Sequence, residues 1–145
     1  GYQGTLGWGY PTALGAKCAN PDRAVVAVHG DGGFMFGANE MATAVAHNIG
    51  VVALVFNDNA YGNVKRIQQT NYGGRTVAST LTNPDFVKMG ESFGMRAERV
   101  TTPKALRLAL KAAIKANAPA LIEIPVGEFP DPWSYFFRKK VRGAG

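Results

Sequence analysis

Two short apolar runs, each followed by a loop of glycine, aspartate or asparagine, restrict the fold of this chain more than any other feature. Residues 24–28 are Ala-Val-Val-Ala-Val and lead into a predicted tight loop at residues 30–33, Gly-Asp-Gly-Gly. Residues 51–56 are Val-Val-Ala-Leu-Val-Phe and lead into residues 57–59, Asn-Asp-Asn. Continuous runs rich in β-branched residues are typical of strands buried on both faces of a sheet. Apolar residues recur at helical spacing over residues 41–46, so the pattern predicts a strand–helix–strand unit.

The second half of the chain continues this alternation. A helix is predicted from Asn83, taken as its N-cap, to Gly94, and a strongly amphipathic helix is predicted to begin at Thr102. Further strands are predicted over residues 96–100 and 120–124. Strands that alternate with helices predict an α/β fold with a doubly wound, mainly parallel sheet and helices on both faces.

Length and composition are those of one domain over residues 1–145. With 145 residues and 46% hydrophobic side chains, the chain can bury one sizeable core, which excludes general disorder. The longest apolar run, residues 51–56, is too short to cross a membrane. The formal net charge is +6, but the only dense basic run lies in residues 138–142. Nucleic-acid binders concentrate such charge on one face, so we expect neither a nucleic acid nor a membrane as a partner.

Single polar and aromatic residues outside these motifs are predicted to be structural. The only cysteine, Cys18, excludes an internal disulfide and fits a reducing compartment, most simply the cytoplasm. We predict a buried, inert thiol at Cys18, a hydrogen-bonded near-core side chain at His29, and packing or interface aromatics at Trp8 and residues 133–137. The chain begins without methionine inside a glycine-rich segment, so we expect it to be a piece of a longer protein.

Residues 30–33 combine the features of a phosphate loop with a carboxylate that a phosphate would repel. Glycines allow backbone N–H groups to approach an anion closely, but Asp31 places a negative charge in the same loop. A divalent cation removes this conflict, because the carboxylates of Asp31 and Asp58 and phosphate oxygens are hard ligands preferred by Mg²⁺ or Ca²⁺. Loops that follow parallel strands meet at one sheet edge. The alternative is two tight turns whose Asp and Asn side chains bond locally.

Several motifs, in order along the chain, resemble the thiamine diphosphate-binding signature. Gly30-Asp31-Gly32, followed after a fitting interval by Asn57-Asp58, is similar to the GDG and NN elements of that signature. Residues 4–16, 21–23 and 57–62 are also similar to segments of the family. The resemblance covers nearly the whole chain. Within the family, the chain most resembles the C-terminal, pyrophosphate-binding domain of the acetolactate synthase and benzoylformate decarboxylase branch.

The resemblance implies roles for individual residues. It implies Mg²⁺ ligands at the side chains of Asp31 and Asp58 and at the backbone carbonyl of Ala60. Leu6 matches the apolar residue that bends the cofactor, and the Gly4 carbonyl matches the acceptor for the cofactor's aminopyrimidine. The other residues implied at the cofactor are Gly30, Gly32, Gly33, Asn57, Ala60, Tyr61 and Gly62. Asp58 departs from the pattern, which has asparagine there.

The resemblance also implies an activity. It implies a 2-keto acid decarboxylase and carboligase similar to acetolactate synthase, with thiamine diphosphate and Mg²⁺ as cofactors and a small 2-keto acid as substrate. An aldehyde-forming decarboxylase of the benzoylformate type remains an alternative, as does a non-enzymatic Mg²⁺-binding domain similar to a response-regulator receiver. Val64 stands where some relatives carry a substrate-facing acid, which weakens a pyruvate decarboxylase interpretation.

The same resemblance implies that this chain lacks the catalytic glutamate. In relatives that residue belongs to an N-terminal pyrimidine-binding domain of a neighbouring subunit, and no matching segment exists in this sequence. We therefore expect a homodimer or homotetramer, inactivity of this chain alone, and no catalytic residue within it. Neither Glu40 nor Glu123 is assigned a catalytic role.

Overall fold

The computed structural model describes residues 4–127. Within this range the chain forms one sheet of four strands, all parallel, in the order β1-β2-β4-β3. The strands are β1 (Val25–Gly30), β2 (Val51–Asn57), β3 (Arg96–Arg99) and β4 (Ala120–Pro125). All four agree closely with the strands predicted from sequence. The aromatic residues 133–137 and the basic run at residues 138–142 lie outside the described residues.

Six helices connect or precede these strands in the described range. They are α1 (Gly9–Ala19), α2 (Asp31–Met35), α3 (Met41–Ala46), α4 (Gly62–Asn71), α5 (Phe86–Ser92) and α6 (Pro103–Ala116). A single 3₁₀ turn, Ala38–Glu40, precedes α3. None of these helices is long and apolar enough to cross a membrane.

Alternating residues of the sheet divide the core into two layers. Val51, Ala53 and Val55 of β2 face a cluster that includes residues of α1, α2, α3 and α5. Val52 and Leu54 face the opposite way, toward a smaller cluster built on α6. Helices therefore cover both faces, which confirms the α/β class, but the second face is only partly covered. At its edge Val28 of β1 is 66% exposed.

Three local predictions are wrong. Residues 31–35 form the short helix α2 instead of a loop, because the chain turns directly from β1 into helical backbone after Gly30. The N-cap of α5 is Asp85 and not Asn83, since the Asp85 carboxylate accepts hydrogen bonds from the N–H groups of Val87 and Lys88. Cys18 is exposed instead of buried.

The amino-terminal end of β2 depends on a close backbone contact. A Cβ added at Gly50 would lie 2.5 Å from the carbonyl oxygen of Asn117, the left-handed residue that ends α6. Only a hydrogen fits at this position, because Asn117 meets Gly50 with backbone instead of a flexible side chain. Gly15 on α1 provides a contrast, since a Cβ there would meet nothing within 4 Å.

Gly50→Ala is expected to lower the free energy of unfolding by about 1–3 kcal/mol, because the added methyl group forces the α6–β4 connection away from β2. The matched control, Gly15→Ala, is expected to raise it by about 0.5–1 kcal/mol, because alanine is the better helix former. Denaturant unfolding followed by circular dichroism measures both changes. Equal stability of the two variants would contradict this packing.

Candidate functional site

The start of α2 and the loop after β2 meet at the carboxyl edge of the sheet because β1 and β2 are parallel neighbours. Gly30, the last residue of β1, pairs with Phe56, one residue before the end of β2. Asp31 therefore follows β1 beside the place where Asn57 ends β2 and Asp58 begins the next loop. Asp31 is buried, and Asp58 is half-buried.

Asp31 lies close enough to the Asp58 carboxylate to affect the ionisation of Asp58. Burial raises the pKa of Asp58 above its ordinary value, and the negative charge of Asp31 raises it further. A hydrogen bond of 3.1 Å from the Ala60 N–H to Asp58 Oδ1 opposes this shift. Two like charges at a partly buried site are unfavourable unless a cation compensates them.

The loop after β2 is held by a short antiparallel contact with residues 79–81. Ala60 forms a bridge with Thr80, and the Tyr61 N–H donates to the Ser79 carbonyl at 2.9 Å. The Leu81 N–H donates to the Asn59 carbonyl at 2.8 Å. Because the flanking residues make these bonds, the peptide groups of Ala60 point away from residue 80.

Glycines make room for close packing around the two carboxylates. A Cβ added at Gly32 would lie 2.5 Å from the ring of Tyr61, and one at Gly62 would lie 2.6 Å from Asp58 Oδ2. A Cβ added at Gly33 would contact the Leu6 side chain at 3.5 Å, whereas one at Gly30 would meet nothing within 4 Å. A side chain at residue 32 or 62 would therefore displace the Tyr61 ring or the Asp58 carboxylate, and Gly30 leaves open space beside Asp31.

The segment before α1 reaches α2. The Gly7 N–H donates to the Gly33 carbonyl at 3.1 Å, and half of the Leu6 side chain remains exposed beside α2. Gly4 is exposed at the start of the described chain. The structure thus brings most of the predicted residues together: Leu6, Gly30, Asp31, Gly32, Gly33, Asn57, Asp58, Ala60, Tyr61 and Gly62. Gly4 lies at the surface, and a Cβ added there would meet nothing within 4 Å.

Asn83 is a residue of this edge whose position the sequence did not indicate. Its side-chain amide donates to Asp31 Oδ2 at 2.5 Å and to Asn57 Oδ1 at 3.0 Å. Asn59 Oδ1 lies 3.4 Å from the same nitrogen. Asn83 is predicted from the sequence to be a helix cap, but its amide instead lies between Asp31 at the start of α2 and Asn57 at the end of β2. No local pattern indicates a contact between residues so distant in sequence.

A buried acid on β4 lies directly behind Asn57. Glu123 is 2% exposed; its Oε1 accepts from Asn57 Nδ2 at 2.8 Å and its Oε2 from Arg99 Nε at 2.8 Å. The hydrogen bond with Glu123 raises the pKa of Arg99. Arg99 also donates to Asp85 Oδ1 at 3.1 Å, which joins the start of α5 to the sheet.

His29 and Tyr10 pack against each other next to the end of β1, with no hydrogen bond at His29 Nε2 or at the Tyr10 hydroxyl within the described residues. The His29 ring packs against Gly9 and against the edge of Tyr10, and neither His29 Nε2 nor the Tyr10 hydroxyl has a partner in the described part of the chain. Burial lowers the pKa of His29 and raises that of Tyr10. The prediction of a hydrogen-bonded histidine is therefore wrong at Nε2, and the neutral ring acts as part of the core.

An apolar surface continues from the site along α4. Val64 and Ile67 of this helix, with Tyr72 and Val77 beyond it, line an open groove of about 480 Å³. None of the α4 side chains is buried. Trp8, also predicted to pack or form an interface, is 64% exposed.

The oxygens at the sheet edge are the kind that bind a hard cation. No group of three or more His, Cys, Asp or Glu side chains forms a metal-binding cluster within residues 4–127. Mg²⁺ needs no such cluster, because it is commonly bound by one or two carboxylates together with phosphate oxygens and water. Asp31 and Asp58 supply the carboxylates, and the open space beside Gly30 leaves room for an anionic group.

Comparison with known proteins gives the same domain. The chain matches, over residues 1–124, the family described as the C-terminal thiamine pyrophosphate-binding domain of thiamine pyrophosphate enzymes. It is 40% identical over 124 residues to a probable acetolactate synthase large subunit of Methanococcus aeolicus, covering 85% of this chain and 21% of that protein. It is 42% identical over 122 residues to an acetolactate synthase of Bacillus subtilis strain 168, covering 84% of this chain and 21% of that protein.

A solved structure agrees with this assignment. The thiamine diphosphate-dependent 4-hydroxybenzoylformate decarboxylase of Rhodococcus jostii RHA1 superposes with a TM-score of 0.81 at 33% identity, covering 87% of this chain and 24% of that one. The chain spans about a fifth of the length of the curated relatives it matches. It therefore belongs to the C-terminal thiamine pyrophosphate-binding domain family, as found in enzymes similar to acetolactate synthase.

Proposed function

We propose that this chain binds thiamine diphosphate through a bridging Mg²⁺, as one domain of a 2-keto acid decarboxylase and carboligase of the acetolactate synthase type. The observation that carries the proposal is the pair of carboxylates, Asp31 and Asp58, at adjacent strand ends of a thiamine pyrophosphate-binding domain. Their mutual repulsion favours a cation, and a cation in turn favours the diphosphate.

The residues present fit an Mg²⁺ ion. Asp31 and Asp58 supply carboxylate oxygens, and the Ala60 carbonyl is the third proposed ligand, because it points away from the contact with residues 79–81. All three are oxygen donors, as Mg²⁺ prefers. Asp58 in place of asparagine adds one negative charge, which strengthens attraction to the metal but reduces the net positive charge that the diphosphate meets.

The diphosphate is proposed to lie against the glycine-rich backbone next to the metal. Gly30, Gly32 and Gly33 provide backbone without side chains at the start of α2, and Tyr61 and Gly62 face them from the loop after β2. Asn57 is also proposed to lie at the cofactor, because it ends β2 directly before Asp58.

The thiamine part of the cofactor is proposed to meet the segment before α1. Leu6 lies beside Gly33 with half its surface exposed, so its side chain is available as an apolar support under the cofactor. The Gly4 carbonyl is proposed to accept a hydrogen bond from the aminopyrimidine group. When bound, thiamine diphosphate supplies the nucleophilic carbon and the electron sink for decarboxylation of a 2-keto acid.

The rest of the reaction is proposed to need other parts of the enzyme. We propose that residues 1–145 are the pyrophosphate-binding domain alone, and that the activating glutamate comes from an N-terminal pyrimidine-binding domain of a neighbouring subunit in a homodimer or homotetramer. The exposed apolar groove on α4 and the exposed Trp8 support an additional contact surface near the site. A cytoplasmic location stays a prediction based on the lone free Cys18.

The acetolactate synthase type is favoured over the aldehyde-forming type by sequence. Eight curated relatives named as acetolactate synthases are 30–42% identical to this chain, and the decarboxylase whose structure superposes is 33% identical. That superposition keeps the aldehyde-forming reaction as the second candidate. Product analysis of the intact protein with pyruvate and with benzoylformate separates the two. The receiver-like alternative lacks support, because the chain belongs to a thiamine pyrophosphate-binding family.

In the presence of Mg²⁺, Asp31→Ala is expected to weaken binding of thiamine diphosphate by more than about a hundredfold. Substitution of a residue that only hydrogen-bonds a metal ligand already lowers metal affinity about 10–100-fold. Isothermal titration calorimetry on the intact protein measures the change. Asp22→Ala, in the exposed turn before β1, is the control and should bind as the native protein does. Unchanged affinity in Asp31→Ala would refute the proposed metal site.

Asp58→Asn is expected to raise the melting temperature of the metal-free protein at pH 7, because the ionised Asp58 carboxylate destabilises the folded state beside Asp31. Its folded pKa is raised, so this cost is absent below the unfolded value of about 4 and appears as the pH rises through the folded pKa. Thermal unfolding in chelator from pH 4 to 8 tests this, with Asp22→Asn as control. A gain that is the same at every pH would rule out the charge effect.

A further inference from the structure

The side chains behind the proposed metal site form a continuous hydrogen-bonded line across three strands. Arg99 of β3 bonds Glu123 of β4, which bonds Asn57 at the end of β2. Asn57 accepts from Asn83, and Asn83 donates to Asp31 after β1. Glu123 is thus connected to a proposed metal ligand through two asparagine amides.

The direction of every bond in this line follows from the acid. An amide can present either its NH₂ or its oxygen, but an ionised carboxylate only accepts. Because Glu123 Oε1 accepts from Asn57 Nδ2, the Asn57 oxygen must face the opposite way, into the loop. There it accepts from Asn83 Nδ2 at 3.0 Å and from the Asn59 N–H at 3.2 Å. One remaining N–H of Asn83 is then available for Asp31.

Glu123 is buried in the sheet, where an apolar residue would avoid the free-energy cost of removing a charge from water. It follows Leu121 and Ile122, and it pairs in register with the fully buried Val55 on β2. A buried ion pair is seldom more stable than well-packed apolar side chains of similar size, because both charges must leave water. The salt bridge with Arg99 therefore explains why the acid is tolerated, and the contact with Asn57 indicates what the acid does.

We propose that Glu123 is a positioning residue of the cofactor site, which fixes the orientations of Asn57 and Asn83 and through them holds the Asp31 carboxylate in place. The inference rests on the proposed function, since it concerns the residues assigned to the metal. Glu123 itself is proposed to contact neither substrate nor cofactor, because its carboxylate oxygens accept from Asn57 and Arg99.

The test measures the dissociation constant for Mg²⁺ at saturating thiamine diphosphate on the intact protein. Glu123→Gln keeps the size of the side chain but can donate as well as accept, so the fixed direction is lost. We expect it to weaken Mg²⁺ binding about tenfold, the effect of losing one hydrogen bond to a charged group. Asn83→Ala should weaken it similarly, and the double variant should be no weaker than Asn83→Ala, because both act through one line.

Arg99→Lys is the matched control. It disturbs the salt bridge on the far side of Glu123 but keeps the positive charge, so Mg²⁺ affinity should stay within about twofold of the native value while the melting temperature falls. If Glu123→Gln also lowers only the melting temperature, or if the double variant shows the product of the two single effects, the positioning role is refuted and Glu123 only stabilises the sheet.

Melting temperatures in chelator separate this inference from the proposed function. If the native protein binds neither Mg²⁺ nor thiamine diphosphate, the proposed function fails. The native protein, Glu123→Gln, Asn83→Ala and the double variant are then compared without metal. Losses in melting temperature for Glu123→Gln and Asn83→Ala that do not add in the double variant support the line of bonds. Additive losses would overturn it.

Discussion

The repulsion between Asp31 and Asp58 is the interaction on which the interpretation of this domain depends. Parallel pairing of β1 with β2 ends both strands at one edge, and the chain then places a carboxylate after each. Burial and mutual repulsion both disfavour the charged pair, as the raised pKa of Asp58 records. The cation that we propose at this edge would stabilise the folded state, so its binding would be coupled to folding.

The surrounding structure limits how far these carboxylates can relax. Asn83 donates to Asp31, the Ala60 N–H donates to Asp58, and Gly62 packs closely against the Asp58 carboxylate. Behind these two carboxylates, the buried Glu123 forms an ion pair with the Arg99 guanidinium. The sheet edge thus carries a fixed set of oxygens before any ligand arrives, which reduces the ordering cost of binding.

Local patterns predicted most of the fold. Apolar runs predicted β1, β2 and β4, and polar alternation predicted β3. The Thr102 cap and helical spacing predicted α6, and all of these features depend on neighbours in sequence. The errors occur where tertiary contacts decide. Asn83 is a residue type that often caps helices and it precedes a proline, but its amide donates to Asp31 and Asn57, which lie far from it in the sequence. Cys18 follows a buried lysine on α1 but faces solvent, and no sequence pattern fixes that rotation.

The site followed from sequence in outline, because the strand ends and the motif order together place Asp31 and Asp58 at one edge. The contribution of Glu123 could not be predicted, since an acid in an apolar strand gives no sign of which amide it will meet. The most direct test is a crystal structure of the intact protein with thiamine diphosphate and Mn²⁺ in place of Mg²⁺. We predict one anomalous peak within about 2.5 Å of a carboxylate oxygen of both Asp31 and Asp58. A bound cofactor whose metal peak lies away from these two residues would contradict the account.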